Sequence, residues 1–318
     1  MSADAGSGPV SPAAPRPVAE AEPGGVRPEL DWPGERALAP GGHVSSWWRF
    51  FCSELRLVFG RPRNLAMLGV LAVVPVFFGV VFRLTLSAAG GGAGGPAFLN
   101  QLAGNGVFLA LVVLELALGL LLLPLAVAVA SGEAIAGEAG FGTLRGLLTV
   151  PAGRTRLLAV KYTAIVVFSL AACLLVTGVA LLMGLILFPS GPVTLLSGTT
   201  VSLGAGVLRV LLLALYAAAA MASLGAIGLA ASALTQHPVG AIAGLLVLVV
   251  ASEICDQVPQ LAAIHAYLPT HFWLSWSGLF TSPADWSGLE HGLMSFAVYA
   301  VIFGAIAWAR LTSADVTT

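Results

Sequence analysis

Residues 131–161 read SGEAIAGEAGFGTLRGLLTVPAGRTRLLAVK. The stretch lies between an apolar run from about Gly106 to Ala130 and another from near Leu157 to Phe188-Pro189. Each run reaches the roughly 20 residues that a helix needs to cross a bilayer. Four basic side chains, Arg145, Arg154, Arg156 and Lys161, and two acids at its front, Glu133 and Glu138, gather here in a chain poor in charge. Charge held between two crossings belongs at a membrane surface, where it can meet a soluble partner. From Glu133 to about Thr149 the residues suit a short helix, with Ile135, Leu144, Leu147, Leu148 and Val150 toward the membrane and Pro151 as its stop. Arg154, Arg156 and Lys161 then mark the start of the next crossing, with stems long enough to snorkel to headgroups. A plain positively charged loop accounts for the arginines. It accounts less well for the Gly142-Thr143-Leu144-Arg145 run, the acids and the length of the loop.

The composition agrees with a membrane protein. Of 318 residues, 58% are hydrophobic and 9% charged, against about 25% charged in a soluble domain, and the mean hydropathy is +0.95. The chain is read as all-α and polytopic, with about six transmembrane helices. The first runs from Asn64 to about Leu86 and contains Pro75, which neighbouring helices can accommodate in a bilayer. A glycine-rich turn follows, and the run from Gly106 to Ala130 is the second crossing. The third ends at Phe188, and the polar loop PSGPVTLLSGTT (189–200) leads to the fourth, Leu203 to Leu234. Gln236-His237-Pro238 make a tight turn into a short fifth crossing, Val239 to about Glu253, and the last runs from Gly292 to Ala309.

Residues 1–43, rich in Pro, Ala, Gly and Glu, are expected to be a disordered cytoplasmic tail. They lack the basic and apolar regions of a signal peptide. Residues 44–62 are amphipathic: Trp47, Phe51, Leu55 and Val58 share one helical face, and Arg49, Ser53 and Arg56 another. With Trp48 beside them, they suit a helix lying in the lipid interface. Between the last two crossings, Pro259, Pro269 and Pro283 break the segment from Cys255 to His291 into one or two short helices. Its aromatics, Tyr267, Phe272, Trp273, Trp276, Phe280 and Trp286, fit the headgroup level. With the amino terminus inside, the flank from Arg49 to Arg63, the cluster from Arg145 to Lys161, and Arg310 all lie inside, leaving Arg83 and Arg209 near the outer surface. Both termini are then cytoplasmic.

Glu138, Gly142-Thr143-Leu144-Arg145, Leu147-Leu148, Pro151, Arg154, Leu157 or Leu158, and Lys161 together resemble the pattern of ABC-2 type permeases, the membrane subunits of one class of ABC transporter. The segment from Ser53 to Leu68 resembles that family's opening segment, and the resemblance extends over about residues 44–311, leaving 312–318 as a short tail. Ala152 and Gly153 stand where many members carry a hydrophobic residue and a serine. The resemblance implies a bacterial exporter subunit in the cell inner membrane. It implies a coupling helix on Glu138, Gly142, Thr143, Leu144 and Arg145 that docks on a cytoplasmic ABC ATPase. It also implies an interfacial helix bearing Trp47, Trp48, Arg49 and Arg56, and two permease copies or a pair with a second permease. ATP and Mg²⁺ are expected in the partner, with no cofactor and no metal in this chain. Contacts with lipid are expected, and none with nucleic acid.

Several chemistries lack the residues they need. Lys161 is the only lysine and no G-x-x-x-x-G-K-[ST] loop surrounds it. There is no H-E-x-x-H and no G-x-S-x-G. Cys52, Cys173 and Cys255 lie far apart, and His265 and His271 near Glu253 and Asp256 match no zinc spacing. Glu115, inside the second crossing, is expected to pair with Arg209 or Arg83 within the bundle, with Glu253 at a similar depth. Gly240 and Gly244 form a GxxxG, and Gly225 and Gly228 line the fourth crossing, where they allow close helix approach. An ion-gradient transporter is the alternative reading, although no repeat relates the two halves.

Overall fold

A backbone in hydrocarbon must satisfy its own N–H and C=O groups, and a helix does so within one segment. The apolar runs accordingly fold as helices in the computed structural model, which describes residues 43–88, 105–137, 154–195 and 197–313. In chain order the main elements are α1 (His43–Gly60), α2 (Pro62–Ala88), α3 (Val107–Gly119), α4 (Leu122–Gly132), α5 (Arg154–Leu187), β1 (Val193–Thr194), β2 (Thr200–Val201), α6 (Leu203–Leu234), α7 (Pro238–Asp256), α8 (Ala262–His265) and α9 (Ser287–Ser313). Short 3-10 turns occupy Pro259–Leu261 and Ser277–Phe280. Among the described residues α2, α5, α6, α7 and α9 are each long and apolar enough to cross a membrane, and α3 with α4 makes a sixth, bent crossing.

That bend corrects the expectation of one straight helix from Gly106 to Ala130. The chain turns by 54° between α3 and α4, with Leu121 in the left-handed region at φ 61°. Pro124 contributes to the break. It has no N–H for the carbonyl of Leu120, and its ring crowds that carbonyl. Gly119, just before the break, lowers the helical preference further. A leucine held left-handed costs about 1–2 kcal/mol. Full burial of Leu118, Leu123, Ala126 and Val127 on either side offsets this. The pair still crosses from one end of the bundle to the other. Its start is tied to the end of α5: Gly106 N–H donates to Pro189 O (3.0 Å), and the Asn105 amide donates to Gly191 O (2.9 Å). Its finish packs on the start of α5, where Ile135 and Leu158 share a buried cluster.

α6 is the central column, packed against α9, α5, α4, α7 and α3. Its face is small: an alanine side chain at Gly225 would run into Ile165, and one at Gly228 into Ser131. These two glycines therefore set the approach of α6 to α5 and α4, as their placement in the sequence implied. Gly244 has open space around it, so the GxxxG of α7 is not used inside the chain among the described residues. α2, α7 and α9 lie outside, exposing residues such as Val73, Phe77, Val247, Ile254, Met294 and Val301, the surface a lipid-facing helix presents.

Other boundaries shift by a few residues. α7 and α9 run beyond the expected crossings, and α9 continues through Ser313 into the expected tail. The 189–200 loop contains a two-stranded hairpin in the register Val193↔Val201 and Thr194↔Thr200, closed through Gly198 at φ 80°. Trp273 and Phe280 are buried in the main core rather than at a headgroup level, while Tyr267 and Trp286 are exposed. The helix expected from Glu133 instead turns over 133–135 before helical residues 136–137. The expected tail 1–43, apart from His43, and the rest of the expected coupling helix lie outside the described residues.

Candidate functional site

The bundle has two unlike ends. The elbow end holds α1, the α1–α2 junction, the finish of α4, the starts of α5 and α7, and the finishes of α6 and α9. The hairpin end holds β1–β2 and the broken segment 257–286. The expected coupling residues Glu138, Gly142, Thr143, Leu144 and Arg145 lie outside the described residues. Both stems of that segment are described, and both are pinned at the elbow end.

The first stem leaves α4. Ser232, fully buried near the end of α6, donates to Gly132 O (2.7 Å) and accepts from the N–H groups of Ile135 (3.1 Å) and Ala136 (2.9 Å). One hydroxyl thus satisfies a carbonyl that ends α4 and two N–H groups of the turn that follows. Next to it, Glu133 is buried and is held by Arg61 (3.2 Å) and Arg63 from the elbow between α1 and α2. The Asn64 amide closes that elbow by donating to Val58 O (2.8 Å).

The second stem enters α5. Lys161 is buried and pairs with the buried Glu54 of α1 at 3.4 Å. This corrects the expectation that Lys161 snorkels to headgroups. The sequence-level signal for its partner is Glu54 itself: it is an acid on the same helical face as Phe51, Leu55 and Val58, which must find a cation. Arg156 lies over the ring of Phe50, 5.9 Å from its centre, another contact between α5 and α1. Trp308 of α9 donates to Thr155 Oγ1 (3.0 Å). The charged groups pack closely, leaving a cavity of ≈ 20 Å³ bordered by Glu54, Arg61, Asn64 and Lys161.

α1 is amphipathic as expected. Trp48, Arg49, Ser53 and Arg56 are exposed, and Phe51, Leu55 and Val58 are partly covered. The side chain of Trp47 lies outside the described residues. Glu54 ties α1 to the second stem, and Arg61 and Arg63 tie the elbow after it to the first, contacts its amphipathic pattern did not reveal.

At the hairpin end the expected pairing of Glu115 fails. Arg209 donates instead to the carbonyls of Leu279 and of Thr281 (2.9 Å) and so clamps the broken segment. Arg83 and Glu115 are exposed, and neither makes an ion pair among the described residues. Glu253 is half-buried beside Ser252, whose hydroxyl meets that of Thr270 at 2.7 Å. His271 Nδ1 sits 2.6 Å and His265 Nδ1 3.8 Å from Asp256 Oδ1, which folds the segment back on the end of α7. No group of three or more metal-ligating side chains is poised for an ion among the described residues. Tyr216 donates to Phe272 O at 2.5 Å, and Gly292 leaves the space its ring needs.

Six apolar crossings, one of them bent, with a polar elbow gathered at one end define a multi-pass helical membrane protein. A family model described as "ABC-2 family transporter protein" matches residues 63–248, more than half of the chain. The chain therefore belongs to that family, and it is a transmembrane permease rather than a catalytic subunit. No curated protein matches the chain.

Proposed function

We propose that the chain is the transmembrane subunit of an ATP-driven exporter, worked by a separate cytoplasmic ATPase that binds ATP and Mg²⁺. The observation that carries this reading is the pinning of both stems of the 138–153 segment. A push on that segment enters α4 and α5 along the chain; from the first stem it passes to α6 through Ser232 and to the α1–α2 elbow through Glu133, and from α5 to α1 through Lys161 and to α9 through Thr155. Arg61 and Arg63, at the junction and the start of α2, join the first stem, and Glu54 of α1 joins the second, so the elbow between α1 and α2 is tied to both. Rigid elements with fixed contacts can turn such a push into a tilt of packed helices. Glu138, Gly142, Thr143, Leu144 and Arg145 are the residues that would meet the ATPase.

The basic residues support the side on which it docks. Arg49, Arg56, Arg61, Arg63, Arg154, Arg156, Lys161 and Arg310 belong to the elbow end, against Arg83 and Arg209 at the other. The elbow end is therefore cytoplasmic, and both termini with it. Two permease subunits, as a homodimer or with a second permease, would form the pathway in the cell membrane. The bent crossing α3–α4 is the feature that favours an ion-gradient carrier instead, since interrupted helices hold ions in such proteins; membership of the family weighs against it.

The test is purification of the tagged protein from native membranes in mild detergent, with ATPase activity assayed on the eluate. A soluble chain with a Walker A loop is expected to co-purify and to be lost from the Leu144→Asp/Arg145→Glu variant. Ser232→Ala is expected to retain the partner and to lose at least half of any cargo-stimulated hydrolysis. Recovery of the protein alone, without ATPase activity under any condition, would overturn the reading in favour of gradient-driven transport.

A further inference from the structure

Glu115 stands alone on a helix that is otherwise turned inward. In α3, Val107 to Leu111, Val113, Leu114, Ala117 and Leu118 are buried, while Glu115 is exposed. Gly119 lies one turn further along the same face, with open space where a side chain would be. Eight residues separate Glu115 from Val107, which places it about 12 Å along the helix. That position lies within the bent apolar crossing formed by α3 and α4.

Three features make the position electronegative and unsatisfied. A carboxylate inside a crossing is unfavourable unless it faces a polar pathway or a cation. It lies one turn from Gly119, where α3 ends and its last carbonyls carry partial negative charge. The cations of this chain that share its half of the bundle do not serve it: Arg209 is engaged with the carbonyls of Leu279 and Thr281, and Arg83 makes no ion pair among the described residues. The break itself exposes Leu120 one turn beyond Glu115, and the same crossing is otherwise apolar. The result is an acid in an apolar setting, on the rim of a broken helix.

We propose that Glu115 is the binding point for the positively charged group of a cationic amphiphile, whose apolar body lies against the exposed side chains at the break. The proposal deepens the exporter reading by naming the charge class of the cargo. The carboxylate and the negative end of α3 select the cation by charge, and hydrocarbon side chains hold the remainder without selecting its shape.

The probe is tetraphenylphosphonium, with tetraphenylborate as the control of equal size and opposite charge. Binding is measured on the purified full-length permease in nanodiscs without any ATPase, so the outcome does not depend on the coupling reading. Saturable binding of tetraphenylphosphonium is expected, weakened at least tenfold in Glu115→Gln and largely kept in Glu115→Asp, with no saturable binding of tetraphenylborate. Equal binding to wild type and Glu115→Gln, or equal binding of the two probes, would overturn the proposal. If Glu115→Gln does not fold, the wild type decides alone. A hydrophobic carbodiimide should label Glu115 by peptide mass analysis, and tetraphenylphosphonium should protect it. Labelling that is absent, or indifferent to the probe, would equally overturn the proposal.

Discussion

The elbow end and the hairpin end solve the same problem, holding irregular backbone against a helical bundle, by different chemistry. At the elbow end, charged side chains remote in sequence meet each other: Glu54 with Lys161, and Glu133 with Arg61 and Arg63. At the hairpin end, beside the contact of Asp256 with His271, side chains donate to main-chain carbonyls: Arg209 to Leu279 and Thr281, Tyr216 to Phe272, and Tyr299 to Tyr267. Ion pairs join helices that run on into the membrane, so motion at one helix is felt by another. Carbonyl clamps hold a broken segment onto single helices and fix its shape. The first end is thus joined helix to helix, and the second holds a broken segment against the bundle.

The contrast is broken most severely at Lys161. Lys161→Met leaves Glu54 buried without its partner, and removing one member of a buried pair costs about 3–5 kcal/mol. The variant should unfold well below the wild type on heating in detergent. The double variant Lys161→Met/Glu54→Met should recover most of the loss, because two packed apolar groups replace two charges. Failure of the double variant to recover would mean that the remaining contacts of Lys161, not the pair, hold α1.

A smaller effect is expected at Arg209. Arg209→Leu removes a charged donor shared by two carbonyls of one short segment, and a single hydrogen bond to a charged group is worth about 1.5–3 kcal/mol. The loss should be local: amide exchange should rise across residues 277–286 and stay unchanged in α1. Increased exchange at both ends would show that the clamp and the ion pairs form one cooperative unit.

The smallest effect concerns Asp285, which is fully exposed. Its Oδ1 accepts from the Ser287 N–H (2.9 Å), and these contacts with Ser287, backbone first and then side chain, hold its carboxyl below the ordinary aspartate value of 3.8. A carboxyl depressed in the folded state contributes its full stabilisation above the unfolded value and loses it as pH falls through the folded one. The difference in unfolding midpoint between wild type and Asp285→Asn should therefore be small and constant near neutral pH. It should vanish as pH falls well below 3.8. A difference independent of pH would assign the effect to packing at the start of α9.

Much of this arrangement is legible in the sequence. Apolar runs of 20 or more residues admit few alternatives, and the arginines around residues 49–63 and 145–161 mark one surface. Pro124 shows where legibility stops. The sequence has a proline in each of two crossings, yet α2 continues through Pro75 while α3 and α4 part before Pro124. A proline removes one hydrogen bond in either case. Whether the helix bends depends on the neighbours available to either path. Glu115 repeats the lesson: an acid inside a crossing announces itself, but its partners are spatial, and Arg209, one of its two expected partners, is engaged with carbonyls instead.

By itself the sequence determined the class of the molecule, the number of its crossings, the amphipathic helix before them and the position of the polar segment between the second and third. These follow from local composition, since the cost of burying a charge or exposing an apolar run arises residue by residue. Only the tertiary structure decided that Glu54 takes Lys161, that Glu133 takes both elbow arginines, that Ser232 caps the turn leaving α4, and that Glu115 is left without a partner among the described residues. Those outcomes join residues up to 107 positions apart. Their energies depend on distance, burial and competing partners, which arise only when the helices pack.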